Sequence, residues 1–256
     1  MSDIADLFAG GGAPDASLPF VQGKVTDNGE KKQAGMVKVE FVAWKRGGNI
    51  CEWMPVLHSY AGGGFGCYCM PEVGDLVLVG FLGADYRQPF VAGSFYPANA
   101  KMASSSFTPK NEKKRFRTKG GIDVTLSDEE GKQSVRAVTP KGLTLSAGDE
   151  KEIITLGDKE GKNKLSFDCK KGAIALEGNS KITIKTGKCQ ITLDGKKGAV
   201  EIKCDQLTVK ATRQLKLGAN QTTTVEGGRL KLSGKQTAEL SGATMTQVKG
   251  AMVKIN

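Results

Sequence analysis

Cysteine is the most reactive residue type in this 256-residue sequence, which contains six of them. No two are spaced as a CxxC pair, so the usual zinc and redox motifs are missing. Cys67 and Cys69 flank a single tyrosine and would share one face of a strand, too close along the chain to bridge without strain. We therefore predict buried free thiols and no bound metal. The six are Cys51, Cys67, Cys69, Cys169, Cys189 and Cys204.

Other residues that could carry chemistry are few. His58 is the only histidine, which excludes any site that needs two. The glycine loop at residues 61–66 (AGGGFG) lacks the GK[ST] of a phosphate-binding loop and opens no helix. Carboxylates of the C-terminal half lie in hydrophilic turns such as SDEEGK, and no motif places a nucleophile beside a base. We predict that the chain is not an enzyme and has no cofactor.

The net charge of +10 is carried by the part of the chain after residue 98. A basic surface is typical of nucleic-acid-binding proteins. Here, however, lysines alternate with apolar residues, as in KITIKTGK (181–188), the pattern of a sheet with one solvent-facing side. Few aromatic residues accompany them on which bases could stack. We expect no nucleic-acid partner, and we interpret the densest cluster, residues 110–119, as solvated linker.

The chain divides into four parts by composition. We predict a flexible N-terminal arm (1–18), a barrel domain (19–98), a basic linker (99–119) and an array of short strands (120–256). With 34 glycines and 6% aromatic residues, the composition suits short strands and tight turns better than packed helices. The start of the chain lacks the basic and apolar regions of a secretory signal. We therefore expect synthesis in the cytoplasm without a signal peptide.

Five strands are predicted in the second part, without a convincing helix. This number within about 80 residues suggests a small barrel of the oligonucleotide/oligosaccharide-binding (OB) type. Val37, Val39 and Phe41 alternate with polar residues and would share one face. In PEVGD (71–75), Gly74 would form a corner and Asp75 would cap the turn through backbone amides. The predicted strands are residues 21–25, 36–44, 50–57, 75–82 and 89–96.

An apolar residue recurs at a step of about eight in the last part, which marks a repeat array. Glycine follows many of these anchors by two residues, and we expect it to allow the positive φ of a sharp corner. The predicted axis anchors are Leu176, Ile184, Leu193, Ile202, Val209, Leu217, Val225, Leu232, Leu240 and Val248. The predicted corner glycines are Gly178, Gly195, Gly227, Gly234, Gly242 and Gly250.

Eight residues suffice for one side of a narrow prism, so three units would complete a circuit. A single-chain β-helix is one solution, but its few apolar side chains would hardly offset the entropy of ordering. Three chains wound together would pool those side chains on one axis and leave few free strand edges. The repeat therefore favours an intertwined trimeric β-helix. Stacked strands from residues 120–256 would give a shaft roughly 80 Å long.

Residues 19–97 resemble the barrel domain shared by phage baseplate assembly protein V, the central spike of large contractile phages, and the type VI secretion spike protein of the valine-glycine repeat family. The matching segments include GMVKVEF (35–41), the glycine loop, PEVGDLVLVGF (71–81) and RQPFVAGS (87–94). The C-terminal array resembles the intertwined triangular β-helix of that family, with its VEG, LSG and VKG turns.

This resemblance implies an all-β fold: a five-stranded OB-type barrel followed by a trimeric triangular β-helix. It implies a homotrimer, a separate baseplate hub protein at the barrel, and a tip protein of the PAAR-repeat type at the C-terminus. Lytic members carry a lysozyme-like insertion, where this chain has only residues 99–119. Some short phage spikes end in a histidine-bound iron tip, which a lone His58 would not form. The expected tip-docking end is Met252, Val253, Lys254, Ile255 and Asn256.

The function expected from the repeat and the resemblance is that of a structural central spike, which meets a target membrane only transiently while piercing it. It would be assembled into a phage tail, a tailocin or an extracellular injection particle. Two alternatives remain open: an OB-type module that binds nucleic acid or sugar on a β-helical stalk, and a β-helical polysaccharide-degrading enzyme.

Overall fold

The structure is a computed structural model of the 256-residue chain, and it describes residues 20–41 and 51–254. The predicted arm (1–18) and the last two residues of the predicted tip-docking end, Ile255 and Asn256, lie outside these ranges. The chain forms two units. The first contains the described residues up to Ile182 together with Asp194–Gly198, and the second contains Thr183–Leu193 and the residues from Ala199 onward.

Five strands form a curled antiparallel sheet at the start of the first unit, as predicted. In sheet order they run β3-β2-β1-β4-β5. The two edges approach each other where Val56 forms a parallel bridge with Val91 and the Leu57 amide donates to the Val91 carbonyl at 2.8 Å. The sheet thus curls into the partly closed barrel of an OB domain. The strands are β1 Phe20–Asp27, β2 Met36–Phe41, β3 Cys51–Pro55, β4 Leu76–Phe81 and β5 Pro89–Phe95, with short 3-10 helices at Lys31–Gln33 and Leu82–Ala84.

The buried apolar core of the described residues lies entirely within this barrel. Strict alternation in β2 turns Val37, Val39 and Phe41 inward, and their exposed fractions of 0%, 0% and 7% confirm the predicted face. Burying a side chain of this kind stabilises the fold by about 1.5–3 kcal/mol. The whole core consists of Val25, Val37, Val39, Phe41, Met54, Val77, Val79, Phe81 and Val91.

The corner before β4 forms as the PEVGD motif predicts. Gly74 adopts a φ of 100°, a conformation that glycine alone reaches without strain. The Asp75 carboxylate accepts a hydrogen bond from the Glu72 amide at 2.9 Å, which confirms its capping role. A hydrogen bond joins this corner to β1: the Gly74 amide donates to the Val25 carbonyl oxygen at 2.8 Å.

A seven-stranded antiparallel sheet follows the barrel, and strands adjacent in sequence are adjacent in the sheet. Part of the range predicted as linker (99–119) is ordered, with helix α1 at Lys101–Ser106 and strand β6. The charged run KKRFR forms a strand because it pairs along its whole length with the next one. The strands are β6 Lys113–Arg117, β7 Asp123–Ser127, β8 Ser134–Val138, β9 Thr144–Gly148, β10 Ile153–Gly157, β11 Lys164–Asp168 and β12 Ala173–Glu177.

Two of the turns in this sheet are built alike. After β6, the Thr118 hydroxyl accepts from the Ile122 amide at 3.0 Å. After β8, the Thr139 hydroxyl accepts a hydrogen bond from the Leu143 amide at 3.1 Å. A glycine with φ near 90° precedes each apolar residue, and this left-handed position closes the turn. The sequence therefore encodes the reversal locally, through a threonine and a glycine in each case.

Three more strands, β13 Lys181–Thr186, β14 Cys189–Asp194 and β15 Ala199–Lys203, form a small sheet. Beyond Lys203 the described chain, up to Lys254, forms neither helix nor strand. The all-β fold class and the N-terminal five-stranded OB-type domain are confirmed. The triangular trimeric winding of the C-terminal part stays a prediction.

Candidate assembly surface

The register of the seven-stranded sheet sorts its side chains onto two faces. Side chains alternate along a strand, so the second and fourth residues of each five-residue strand share one face. The pairings join these residues into two continuous rows across all seven strands, and all but Lys114 are apolar. We call this the apolar face. One row is Lys114, Leu126, Val135, Ala147, Ile154, Phe167 and Ile174; the other is Phe116, Val124, Ala137, Leu145, Leu156, Leu165 and Leu176.

No part of residues 20–41 and 51–254 covers the apolar face. Nine of its large side chains are exposed by between 36% at Phe167 and 70% at Ile174. None of them reaches the burial that the barrel valines achieve. A contiguous apolar surface of this extent marks an interaction site, because a soluble protein rarely leaves one in water. The face is therefore a candidate interaction surface.

The opposite face of the sheet is polar and is held by ion pairs. Arg115 lies two residues before Arg117, the residue opposite Asp123, and its Nε donates to both carboxylate oxygens at 2.9 Å. Both side chains are only 17% exposed. The hydrogen bonds from Arg115 lower the pKa of the Asp123 carboxyl, and Thr125 adds to the effect. This face thus contains an internal ion pair of partly buried side chains, whereas the other face is almost entirely apolar.

The C-terminal segment from Asp205 to Lys254 bends at regular intervals. Bends begin at residues 205, 212, 220, 228, 235, 243 and 251, so the step is seven or eight residues, in agreement with the repeat in the sequence. Four of these bends directly follow a predicted corner glycine: Gly227, Gly234, Gly242 and Gly250. Every described residue of this segment is exposed.

The physical reason given for the corner glycines is wrong. None of the six adopts a positive φ; the glycines that do so include Gly121 and Gly142, in the turns of the seven-stranded sheet. Space is the constraint at three of the six. A Cβ at Gly242 would lie 2.6 Å from the Met245 carbonyl oxygen, and one at Gly178 would lie 2.8 Å from Ile182 Cγ1. A Cβ at Gly234 would collide with the Thr237 carbonyl.

The predicted axis anchors divide between ordered strands and the bent segment. Leu176, Ile184, Leu193 and Ile202 lie on β12, β13, β14 and β15 respectively. The other six lie beyond β15 and are exposed by between 60% at Val209 and 81% at Leu232. The sequence analysis missed the apolar rows of β6 to β11. Apolar residues alternate with other residues in segments such as DVTLS and IITLG, and this alternation was the signal that could have revealed the rows.

The cysteine prediction is wrong about the burial of the thiols and about the strand predicted to contain Cys67 and Cys69. None of the six thiols is buried: Cys51 and Cys204 are half-buried and the other four are exposed. The cysteine pair lies in a stretch that is not a strand, with 3.5 Å between the Sγ atoms of Cys67 and Cys69. Within residues 20–41 and 51–254, no three His, Cys, Asp or Glu side chains gather as metal ligands. The same ranges contain no helix long and apolar enough to cross a membrane.

The direction of the barrel strands shows which of its ends meets the sheet. The antiparallel pairings make β1, β3 and β5 run the same way, so all three finish at one end. Glu72, before β4, lies at that end and forms an ion pair of 3.1 Å with Lys119, after β6. The connection Leu82–Gln88, between β4 and β5, lies at the opposite end, away from this contact.

Comparison with known proteins also identifies an OB domain in the N-terminal part of the chain. Residues 21–96 match the family model described as the type VI secretion system/phage-baseplate injector OB domain. The chain is also similar to the type VI secretion system spike protein VgrG5 of Pseudomonas aeruginosa, with 32% identity over 114 residues, 40% of this chain and 14% of that protein.

Two similar proteins from Vibrio cholerae align with a larger part of this chain. The type VI secretion system spike protein VgrG3 is 28% identical over 154 residues, 55% of this chain and 15% of that protein. The actin cross-linking toxin VgrG1 is 26% identical over 196 residues, 71% of this chain and 18% of that protein. The chain thus spans less than a fifth of the length of these relatives. Its resemblance to spikes of phage baseplates and type VI secretion systems is confirmed.

Proposed function

We propose that this chain is the structural central spike of a phage-like contractile tail or injection-system baseplate. Three copies wind together through their C-terminal halves, and sheath contraction drives the resulting rod through a target envelope. The observation that carries the proposal is the apolar face, which no part of the described chain covers. The OB domain matched at residues 21–96 and the spike relatives support it.

Further copies of the same chain are the partner that fits the apolar face best. The apolar face and the C-terminal segment both carry exposed apolar side chains, and those of the segment recur at about the spacing of its bends. A partner built on the same repeat would match this periodicity along its whole length. Each Val or Leu side chain buried in this way contributes about 1.5–3 kcal/mol. Pairing between chains would also supply the backbone hydrogen bonds that the segment after Lys203 lacks among the described residues.

The number three follows from the length of one repeat. Seven or eight residues between bends leave a straight run of five or six, which is one side of a narrow prism rather than a full coil. Three such sides close a triangle around an axis. Because one chain offers a single large anchor per side, three chains are needed to fill that axis.

We propose that the barrel joins the spike to the baseplate hub through the end that carries Leu82–Gln88. Leu82 is 56% exposed there, and the sheet leaves from the other end of the barrel. A PAAR-type tip protein would bind the C-terminal residues from Met252 onward. In this scheme Leu82→Asp weakens hub binding and removal of residues 252–256 abolishes tip binding, while each change leaves the other contact intact.

The chain would be made in the bacterial cytoplasm and then built into a particle. Its role is mechanical and needs no catalytic residue. Purified protein should therefore show no turnover of peptidoglycan or acidic polysaccharide. It should also give no gel shift with single-stranded DNA. Turnover or a shift would favour the enzyme or the binding module over the spike.

Digestion with trypsin tests whether the C-terminal segments of three chains wind together, as the proposed spike requires. The segment after Lys203 contains exposed lysines and arginines, among them Lys210, Arg213, Lys231 and Lys249, and a lone chain would be cut there. We expect the wild-type segment to resist trypsin, and Leu240→Asp to make it sensitive, because that change places three charges on one level of the axis. Gln236→Asp, at a bend, is the matched control and should stay resistant. Cleavage of the wild-type segment as fast as that of the Leu240→Asp protein would refute the proposal.

A further inference from the structure

Two thiols face each other on the barrel, at the end where the sheet begins. The Sγ atoms of Cys67 and Cys69 lie 3.5 Å apart and share a hydrogen bond, and both residues are exposed. The spike function proposed above makes no use of them. Paired thiols differ from the lone exposed Cys169 and Cys189, because each can react with an intermediate formed on the other.

Backbone contacts hold the two thiols together from both sides. The Cys67 amide donates to the Tyr60 carbonyl at 2.8 Å, closing a small hairpin in which Ala61 bridges Gly66. On the other side, the Asn28 amide group donates to the Pro71 carbonyl at 2.9 Å. The segment between these anchors is short and forms no strand. In an extended strand the two residues would lie roughly 6.6 Å apart along the chain, so the irregular backbone here allows the closer approach of the thiols.

We propose that Cys67 and Cys69 form a reversible dithiol site, oxidised to an intrachain disulfide by low-molecular-weight disulfides such as oxidised glutathione. The Sγ atoms must approach by about 1.5 Å to reach bonding distance, which side-chain rotation can supply. A bridge across one intervening residue is strained. Strained, exposed disulfides are the ones most readily reduced again, so the site cycles between its two states.

The exchange has two balanced steps. The Cys67 thiolate attacks one sulfur of the small disulfide, forms a mixed disulfide and releases one thiolate. The Cys69 thiolate then attacks the Cys67 Sγ, forms the Cys67–Cys69 bond and releases the second. The protein loses two electrons and two protons, and the small disulfide becomes two thiols. The hydrogen bond with Cys67 raises the pKa of the Cys69 thiol while both residues are reduced.

Mass spectrometry of the full chain in glutathione redox buffers tests the site. Reduced protein is equilibrated with mixtures of reduced and oxidised glutathione, quenched in acid, alkylated and digested. In wild-type protein we expect the peptide with Cys67 and Cys69 to lose two hydrogens and carry no glutathione, while Cys169 and Cys189 form mixed disulfides. These two lone thiols are the internal control.

Single variants show whether the second thiol resolves the first. In Cys67→Ser and in Cys69→Ser, the remaining thiol should accumulate the glutathione adduct by about tenfold over wild type, because the intramolecular step has been removed. Cys51→Ser, whose thiol lies in the same region of sequence, should keep the intrachain disulfide. The proposal is wrong if wild-type Cys67 or Cys69 carries glutathione as often as Cys169 does. It is equally wrong if both stay reduced in buffers that modify Cys169.

Discussion

Leu145 of β9 lies directly opposite Leu156 of β10, and the two side chains are 50% and 44% exposed. Cross-strand leucine pairs normally form the inside of a β-protein. Here the pair lies in the middle of a face that no described residue covers, in a sheet one layer thick. This relationship leaves an exposed apolar surface in the described chain, and both the first prediction below and the closing measurement of mass follow from it.

Charges on the apolar face should prevent assembly. Leu145→Asp or Leu156→Asp places a carboxylate where the partner chains pack, and an unpaired buried charge costs several kcal/mol. We expect loss of the trimer in light scattering on a sizing column. Ser146→Asp and Thr155→Asp are matched controls, since their side chains lie on the polar face of the same strands. If the controls lost the trimer as well, a charge anywhere on these two strands would prevent assembly, and the result would not support the apolar face as the contact.

A methyl group at Gly242 should destabilise the C-terminal segment. A Cβ there would lie 2.6 Å from a backbone oxygen, that of Met245, so the backbone must shift. We expect Gly242→Ala to lower stability by about 1–3 kcal/mol per chain, measured by thermal melting of the trimer. Gly218→Ala is the control, because nothing lies within 4 Å of the added carbon. Equal melting of the two variants would contradict the steric explanation.

The pair between Arg115 and Asp123 should make the sheet sensitive to acid. The folded state lowers the pKa of Asp123 below its ordinary value of 3.8, so the stabilisation is complete above that value. It is lost as the pH falls through the lowered pKa, because the folded state must then take up a proton. Asp123→Asn should melt below wild type near neutral pH, and the difference should shrink in acid.

Asp128→Asn provides the matched control for that experiment. Its carboxylate is 67% exposed and lies 3.6 Å from Lys114 on the same sheet. Exposed pairs of this kind contribute about 0–1 kcal/mol. The variant should melt close to wild type at every pH. A gap between wild type and Asp123→Asn that stays constant down to the most acidic condition would argue against the linkage.

Replacement of a barrel valine should affect stability without affecting assembly. Val39 is fully buried, so Val39→Ala removes packed methyl groups and should cost about 1–3 kcal/mol. In the proposed spike the barrel lies outside the winding, so we expect the trimer mass to be unchanged. Lys38→Ala, at the neighbouring position of β2, should leave both the melting temperature and the mass near wild type. A loss of trimer in Val39→Ala would place the barrel within the assembly contact.

The barrel could be predicted from the sequence because its signals are local. Alternation around Val37 and Val39 and the corner at Gly74 and Asp75 specify the strand faces and one turn within a few residues. The strand at Lys113–Arg117 was not predicted, because its charged sequence KKRFR lacks apolar alternation and is held as a strand by pairing with β7 and by the hydrogen bonds from Arg115 to Asp123.

The repeat shows where sequence reasoning reaches its limit. The step of eight between Val209 and Leu217 agrees with the spacing of the bends that begin at residues 212 and 220. The reason for the corner glycines could not be derived, because the obstructing atom at Gly242 belongs to a residue three positions later. The burial of the thiols was also overestimated, because exposure at Cys67 and Cys69 depends on a hairpin that composition does not reveal.

The most direct test of the account is the mass of the purified chain in solution. Light scattering on a sizing column should give three times the chain mass of 27.1 kDa. On a gel, the unheated sample should run as an SDS-resistant trimer and the boiled sample as a monomer. A monomer mass in solution would contradict the account, because the apolar face around Leu145 and Leu156 would then have no partner of its own kind.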